Sequence, residues 1–304
     1  MVLPRKREKS AVLLAFAIFI GLLAGMQAYA AVDPVGRPVV YKQVDGKDLH
    51  LYISSPTDGA AAHPAIVFLH GGGWTMGSPT QFNSQATWLA AHGVVAILVD
   101  YRLINKAATS EPPKICVEDT KSAIRWVRIH AKELKVDPDK IVGSGGSAGG
   151  YLAANAALVP GWDAPTDDLS VSPKPNALVL FFPALAAESP EAGAKRFGTQ
   201  YLQYTPGTYV SAQMPPTIIF GGLADVLVKP DILRTFKAQA DKAGGKCILD
   251  FYPGQPHGFA NKEPYTTLTL IEAVHFLKSL GYLPPSTPDP VQADVDAPQS
   301  ASSH

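Results

Sequence analysis

The sequence predicts one α/β domain, a mostly parallel eight-stranded sheet with helices on both faces. Three observations carry that prediction. Short continuous apolar runs, such as 65–69 and 177–182, alternate with longer stretches of helical character. Several of these runs end directly in glycine or polar clusters, as strands buried on both faces do. The domain opens on two alternating segments joined by a turn alone, which adds an antiparallel start.

Taken in order, Val39–Val44 and Leu49–Ile53 alternate as strands around an Asp45-Gly46 turn. Ala65–Leu69 is a continuous apolar strand that runs into His70-Gly71-Gly72-Gly73-Trp74. Ser78-Pro79 opens a helix to about His92, and Val94–Val99 is the next strand, ending at Asp100-Tyr101-Arg102. Residues 103–115 form a loop. A helix then runs from Cys116 to Leu134, with Ile115, Ala123, Ile124, Val127 and Ala131 near helical spacing. Asp137-Pro138-Asp139 closes that connection, and Lys140-Ile141-Val142 ends a short buried strand before Gly143–Gly150. Tyr151–Leu158 is a helix; Ala177–Phe182 and Thr217–Phe220 are strands. Pro230–Ala243 is a helix capped by Gly244-Gly245, Cys247–Tyr252 the last strand and Tyr265–Leu280 the last helix.

The ends differ in composition. Arg5, Lys6, Arg7 and Lys9 precede the apolar run Ala11–Ala24 and the small-x-small site Ala28-Tyr29-Ala30. That pattern predicts a signal peptide over 1–30 and an exported, periplasmic or secreted protein. The run is shorter than the roughly 20 residues a spanning helix needs, which favours cleavage over a retained anchor. The domain is expected over 31–283, and the Pro, Ser, Ala and Asp content of 284–304 predicts a disordered tail.

Of the 304 residues 46% are hydrophobic and 17% charged, with a formal net charge of zero, so neither nucleic acid nor an anionic membrane surface is an expected partner. No metal site or cofactor is signalled. Cys116 falls at a helix start and Cys247 at a strand start, at opposite edges of the expected sheet, which predicts two free thiols.

Ligands of open α/β sheets collect at the carboxyl ends of the strands. Gly145-Gly146-Ser147-Ala148-Gly149 is a G-x-S-x-G sequence between a strand and a helix, the setting of a nucleophile elbow with Ser147 at its apex. His257 follows the last strand in a Pro- and Gly-flanked loop and is the candidate general base. Asp225 follows Gly221-Gly222 and is the candidate orienting carboxylate, ahead of Asp231 in a helix start and Asp250 in mid-strand. The N–H of Ala148, at a helix N-terminus, and those of Gly72 and Gly73 are candidates for an oxyanion hole. Trp74 either lines the acyl pocket or packs.

Together His70-Gly71-Gly72-Gly73-Trp74, Gly145–Gly150, Asp225 and His257-Gly258-Phe259 resemble the α/β-hydrolase serine esterases of the hormone-sensitive-lipase-like kind, and most of all the compact acetyl-xylan and feruloyl esterase-like members. The resemblance runs from about Val39 to Leu283. It implies the α/β-hydrolase fold and hydrolysis of carboxylic esters through an acyl-enzyme, without a cofactor. Two departures stand out. Gly146 occupies the position before the serine where such lipases usually carry Asp, and no large N-terminal helical cap is expected. Room for a lid exists only at 184–215, where Tyr201, Tyr204 and Tyr209 either line a substrate cleft or pack the insertion onto the sheet. An open site suits short acyl groups on a bulky or polymeric alcohol, so small-molecule or polysaccharide esters, including carbohydrate esters, are the expected substrates. The competing readings are a serine peptidase of the same fold and a catalytically inactive binding protein.

Overall fold

A computed structural model describes residues 32–105, 112–186, 193–194 and 198–291. Its eight strands are β1 (Arg37–Val44), β2 (Lys47–Ser54), β3 (His63–Leu69), β4 (Val95–Val99), β5 (Val136–Gly146), β6 (Ala177–Phe181), β7 (Thr217–Gly222) and β8 (Cys247–Tyr252), all in the unit that begins at Pro34. They form one sheet in the order β1-β2-β4-β3-β5-β6-β7-β8. The β1–β2 and β2–β4 pairs are antiparallel and the other five parallel. This is the α/β-hydrolase fold expected from the sequence.

The helices are α1 (Asn83–Ala91), α2 (Lys114–Ile129), α3 (Ala131–Leu134), α4 (Ala148–Leu158), α5 (Pro230–Ala243) and α6 (Tyr265–Ser279). Alternation along the strands divides the core in two. Ala65, Val67 and Leu69 of β3 face a layer containing α2, α4 and α5, while Ile66 and Phe68 face a layer containing α1 and α6. Helix α4 is buried along its whole length, and its glycines and alanines let it lie close against the sheet.

Several boundaries differ from the expected ones. The segment after Ser78 starts as a 3₁₀ turn, Pro79–Phe82, before α1. The helix expected to end at Leu134 breaks at His130, whose ring stacks on Trp126. Strand β5 begins at Val136, which pairs with His63, and an irregular register absorbs Asp137–Asp139. The tail does not begin at Pro284. Residues 284–291 continue against α6, where His275 Nε2 and Lys278 Nζ each lie 3.0 Å from Asp289 Oδ1 and Pro290 is buried. Composition predicted disorder from residue 284, whereas Asp289 has two partners on the helix. The expected signal segment 1–30 and the rest of the tail lie outside the described residues. Among the described residues no helix is long and apolar enough to cross a membrane.

Cys116 and Cys247 are free and buried. Burial pushes both thiols up to about 12.

Candidate active site

The chain visits β3, β4 and then β5, yet β3 lies between β4 and β5 in the sheet. The strand order therefore reverses at the β3–β5 pair, and the loops leaving their carboxyl ends open a crevice there. One loop carries His70 to Trp74 and the other carries Ser147.

Ser147 has φ 53° and ψ −113°, a conformation that L-residues avoid, between the end of β5 and the start of α4. Its N–H donates to Phe181 O at 2.9 Å, and its carbonyl accepts from Ala184 N–H at 3.1 Å, so β6 and its following loop hold the turn. The flanking glycines are sterically required. A Cβ on Gly145 would stand 2.5 Å from Gly149 C, and one on Gly149 would stand 1.9 Å from Leu69 O.

His257 and Asp225 converge on this serine from β8 and β7. His257 Nε2 lies 2.9 Å from Ser147 Oγ and Nδ1 lies 2.8 Å from Asp225 Oδ2. The other carboxylate oxygen, Oδ1, accepts from Leu227 N–H at 2.8 Å and Val228 N–H at 2.9 Å. Burial alone would raise the Asp225 pKa. The hydrogen bond and charge of His257, with the Val228 and Leu227 N–H groups, outweigh it and hold the carboxyl below its ordinary value. The competing carboxylates lie elsewhere. Asp231 pairs with Arg234 at 2.7 Å on an exposed helix start, and Asp250 sits within β8 opposite Phe220. The His257 ring meets Phe182 edge-on at 5.0 Å.

The glycine loop after β3 is fixed one peptide at a time. Tyr101 Oη–H donates to His70 O at 2.6 Å, and Gly71 N–H donates to Gln81 Oε1 at 2.6 Å, which locks both ends of the 70–71 peptide. Gly71 O lies 2.8 Å from His70 Nδ1, and Gly72 O accepts from Thr75 and Met76 N–H, each at 3.2 Å. Burial lowers the His70 pKa, partly offset by the Gly71 carbonyl, and because a carbonyl can only accept, Nδ1 is the donor in this contact. These contacts orient the peptides that carry the Gly72 and Gly73 N–H groups. No backbone hydrogen bond among the described residues uses the N–H of Gly72, Gly73 or Ala148.

Ser147, Ala148, His257, Gly71, Gly72 and Gly73 line a cavity of about 620 Å³. Trp74, Met76, Phe182, Leu227 and Val228 supply apolar wall. Trp74 therefore lines the cavity and also packs, its indole edge-on to Tyr151 at 5.2 Å. Tyr201 and Tyr204 do not line it, a correction to the cleft reading. Tyr204 stacks on Trp162 at 4.1 Å and its carbonyl accepts from Tyr151 Oη–H at 2.9 Å, while the Tyr201 ring covers Gly193. Tyr204 packs the insertion onto the domain, and Tyr201 packs within the insertion. Gln81, Phe182, Met76, Leu227, Val228 and Asn261 went unrecognised in the sequence, because none lies in a motif. Among the described residues no cluster of His, Cys, Asp or Glu is suited to a metal.

The BD-FAE family model matches residues 49–175. Esterase 2 of the planctomycete Thermogutta terrifontis, solved with propionate bound, is 43% identical, with 83% of this chain and 97% of that chain covered at a TM-score of 0.76. This chain belongs to the α/β-hydrolase esterases. The same Thermogutta esterase has been solved phosphoramylated by tabun. Among curated relatives, probable isoprenylcysteine alpha-carbonyl methylesterase ICMEL1 of Arabidopsis thaliana is 23% identical over 80% of this esterase-family chain and 55% of its own length. The acetylxylan esterase of Xylanibacter ruminicola is 29% identical over 64% of this chain and 41% of its own. This chain thus spans little more than half, or less, of those two relatives.

Proposed function

We propose that this chain is a serine carboxylesterase acting on short-chain acyl esters, with carbohydrate esters as the substrate class. The observation that carries the reading is the bridge made by His257, with one ring nitrogen on Ser147 Oγ and the other on the buried Asp225. In this reading Ser147 Oγ attacks the ester carbonyl as His257 Nε2 takes its proton. The developing oxyanion is met by the N–H groups of Gly72, Gly73 and Ala148. The intermediate then expels the alcohol, which leaves with the proton from His257. Water, deprotonated by the same imidazole, repeats the sequence on the acyl-enzyme and releases the acid. Asp225 keeps the imidazole in the tautomer that presents a bare Nε2 to the serine and stabilises the imidazolium. Each oxyanion donor contributes about 3–4 kcal/mol in the transition state.

The cavity supports the short-acyl preference. Trp74, Met76 and Phe182 offer apolar wall close to Ser147, and the described part of the β6–β7 insertion packs on α4 through Tyr204 instead of covering the site. The propionate-bound Thermogutta esterase and the named acetylxylan esterase support short acyl groups and a carbohydrate alcohol. The basic start, apolar run and Ala28-Tyr29-Ala30 site support export with cleavage after Ala30.

An ester panel tests the reading, with p-nitrophenyl acetate, butyrate and palmitate, acetylated xylan and feruloyl sugar esters offered to the wild type and to Ser147→Ala. Turnover of acetate and of acetylated xylan, lost in the variant, is the expected result. A clear preference for palmitate contradicts the short-acyl assignment.

A further inference from the structure

We infer that Gln81 is a positioning residue for the oxyanion loop, filling the place that Gly146 leaves open beside the nucleophile. The inference rests on the esterase reading above. Gln81 lies in the 3₁₀ turn Pro79–Phe82, outside every catalytic motif, yet its side chain reaches the cavity that contains Ser147. Its Oε1 accepts the Gly71 N–H at 2.6 Å, and its Nε2 donates to Asn261 Oδ1 at 3.0 Å. Gly71 begins the glycine loop, and Asn261 ends the short 3₁₀ turn that follows His257. One amide therefore ties the loop carrying two candidate oxyanion donors to the segment carrying the candidate base.

Gly146 makes this bridge possible. A Cβ there would stand 2.8 Å from Gln81 Nε2 and 3.1 Å from the Phe182 ring. An Asp before the serine, the residue expected from the resemblance, would collide with both. Gln81 and Gly146 are thus a coupled choice, in which the side chain that packs beside the nucleophile comes from another loop.

The bridge also has little packing behind it. Gln81 and Asn261 line both the active-site cavity and a second, smaller cavity of about 140 Å³ bounded by Ser84, Gln85, Glu263 and Thr266. The Gly71 N–H bond holds one end of the 70–71 peptide, whose other end Tyr101 holds, and it acts with the His70 Nδ1 contact to Gly71 O to set the plane that carries the Gly72 N–H. Losing the lock costs preorganisation of the donor and leaves the ester's ground-state binding intact.

Three variants and two readouts test this. Gln81→Met keeps the length of the side chain and removes both hydrogen bonds. Gln81→Asn is one methylene too short to reach both partners. Gln81→Glu keeps an acceptor for Gly71, and Asn261 can turn its amide to donate to it. With p-nitrophenyl acetate, kcat is expected to fall about 10- to 100-fold in the Met and Asn variants while KM stays within about threefold. Affinity for phenylboronic acid, which forms a tetrahedral adduct on the serine, should fall in parallel, and Gln81→Glu should recover most of the loss. Wild-type kcat in Gln81→Met or Gln81→Asn would overturn the inference. So would an equal loss in all three variants, or a kcat loss with boronate affinity unchanged. Failure of the esterase reading itself looks different, since the wild type would then turn over no ester.

Discussion

His257 Nε2 stands 2.9 Å from Ser147 Oγ although 110 residues separate them in the chain. Their strands, β5 and β8, are not neighbours, because β6 and β7 lie between them. The contact exists because the loop after β8 turns back across the end of β7, where Ala224 N–H donates to Gln255 O at 3.0 Å. The same turn places Asp225, which follows β7, under the imidazole. Sheet order, more than any local motif, assembles the site.

Replacing the carboxylate tests the orienting role. In Asp225→Asn the side-chain oxygen can still accept from the Leu227 and Val228 N–H groups, but the amide cannot hold His257 in the same tautomer. Activity on p-nitrophenyl acetate should fall about 10⁴-fold in kcat with KM little changed. A loss below tenfold would remove Asp225 from the assignment.

Acid stability follows from the depressed pKa of Asp225. A carboxyl whose folded pKa lies below its unfolded value contributes stability that is fully present above the unfolded value, about 3.9. That contribution is lost as the pH falls through the lower folded value. Denaturant unfolding of the wild type and Asp225→Asn should therefore differ at pH 7 and converge below about pH 4. A gap that widens on acidification would contradict the assignment.

Tyr204 separates packing from substrate contact. Tyr204→Ala removes the stack on Trp162 and should lower stability by about 1–3 kcal/mol, with KM for nitrophenyl esters within twofold of wild type. A tenfold rise in KM at unchanged stability would restore the cleft reading.

The thiols should be silent in the folded chain. With both pushed up to about 12 by burial, Cys116 and Cys247 should resist Ellman's reagent at pH 8 and react only after denaturation. Rapid labelling of either in the native protein would show that its site opens.

The sheet was legible because its strands are continuous apolar runs and its helices carry helical spacing, both of which survive without tertiary information. Ser147, Asp225 and His257 stood out for the same reason, each lying just past a strand end, and the structure brings them within hydrogen-bonding distance. What stayed hidden depends on space instead of spacing. Nothing local marks Gln81 as the partner of Gly71, since its position is decided by the room that Gly146 leaves. Tyr201 and Tyr204 could be recognised as aromatics in an insertion, but which face of it they serve depends on where Trp162 and Tyr151 lie. Asp289 read as tail until its partners His275 and Lys278 were placed.

The most direct measurement is covalent labelling with a fluorophosphonate probe, followed by mass mapping of the modified residue. Stoichiometric adduct on Ser147 is expected, absent in Ser147→Ala and strongly slowed in His257→Ala. Labelling of Ser147→Ala to the wild-type extent, or an adduct mapped to any other residue, would contradict it.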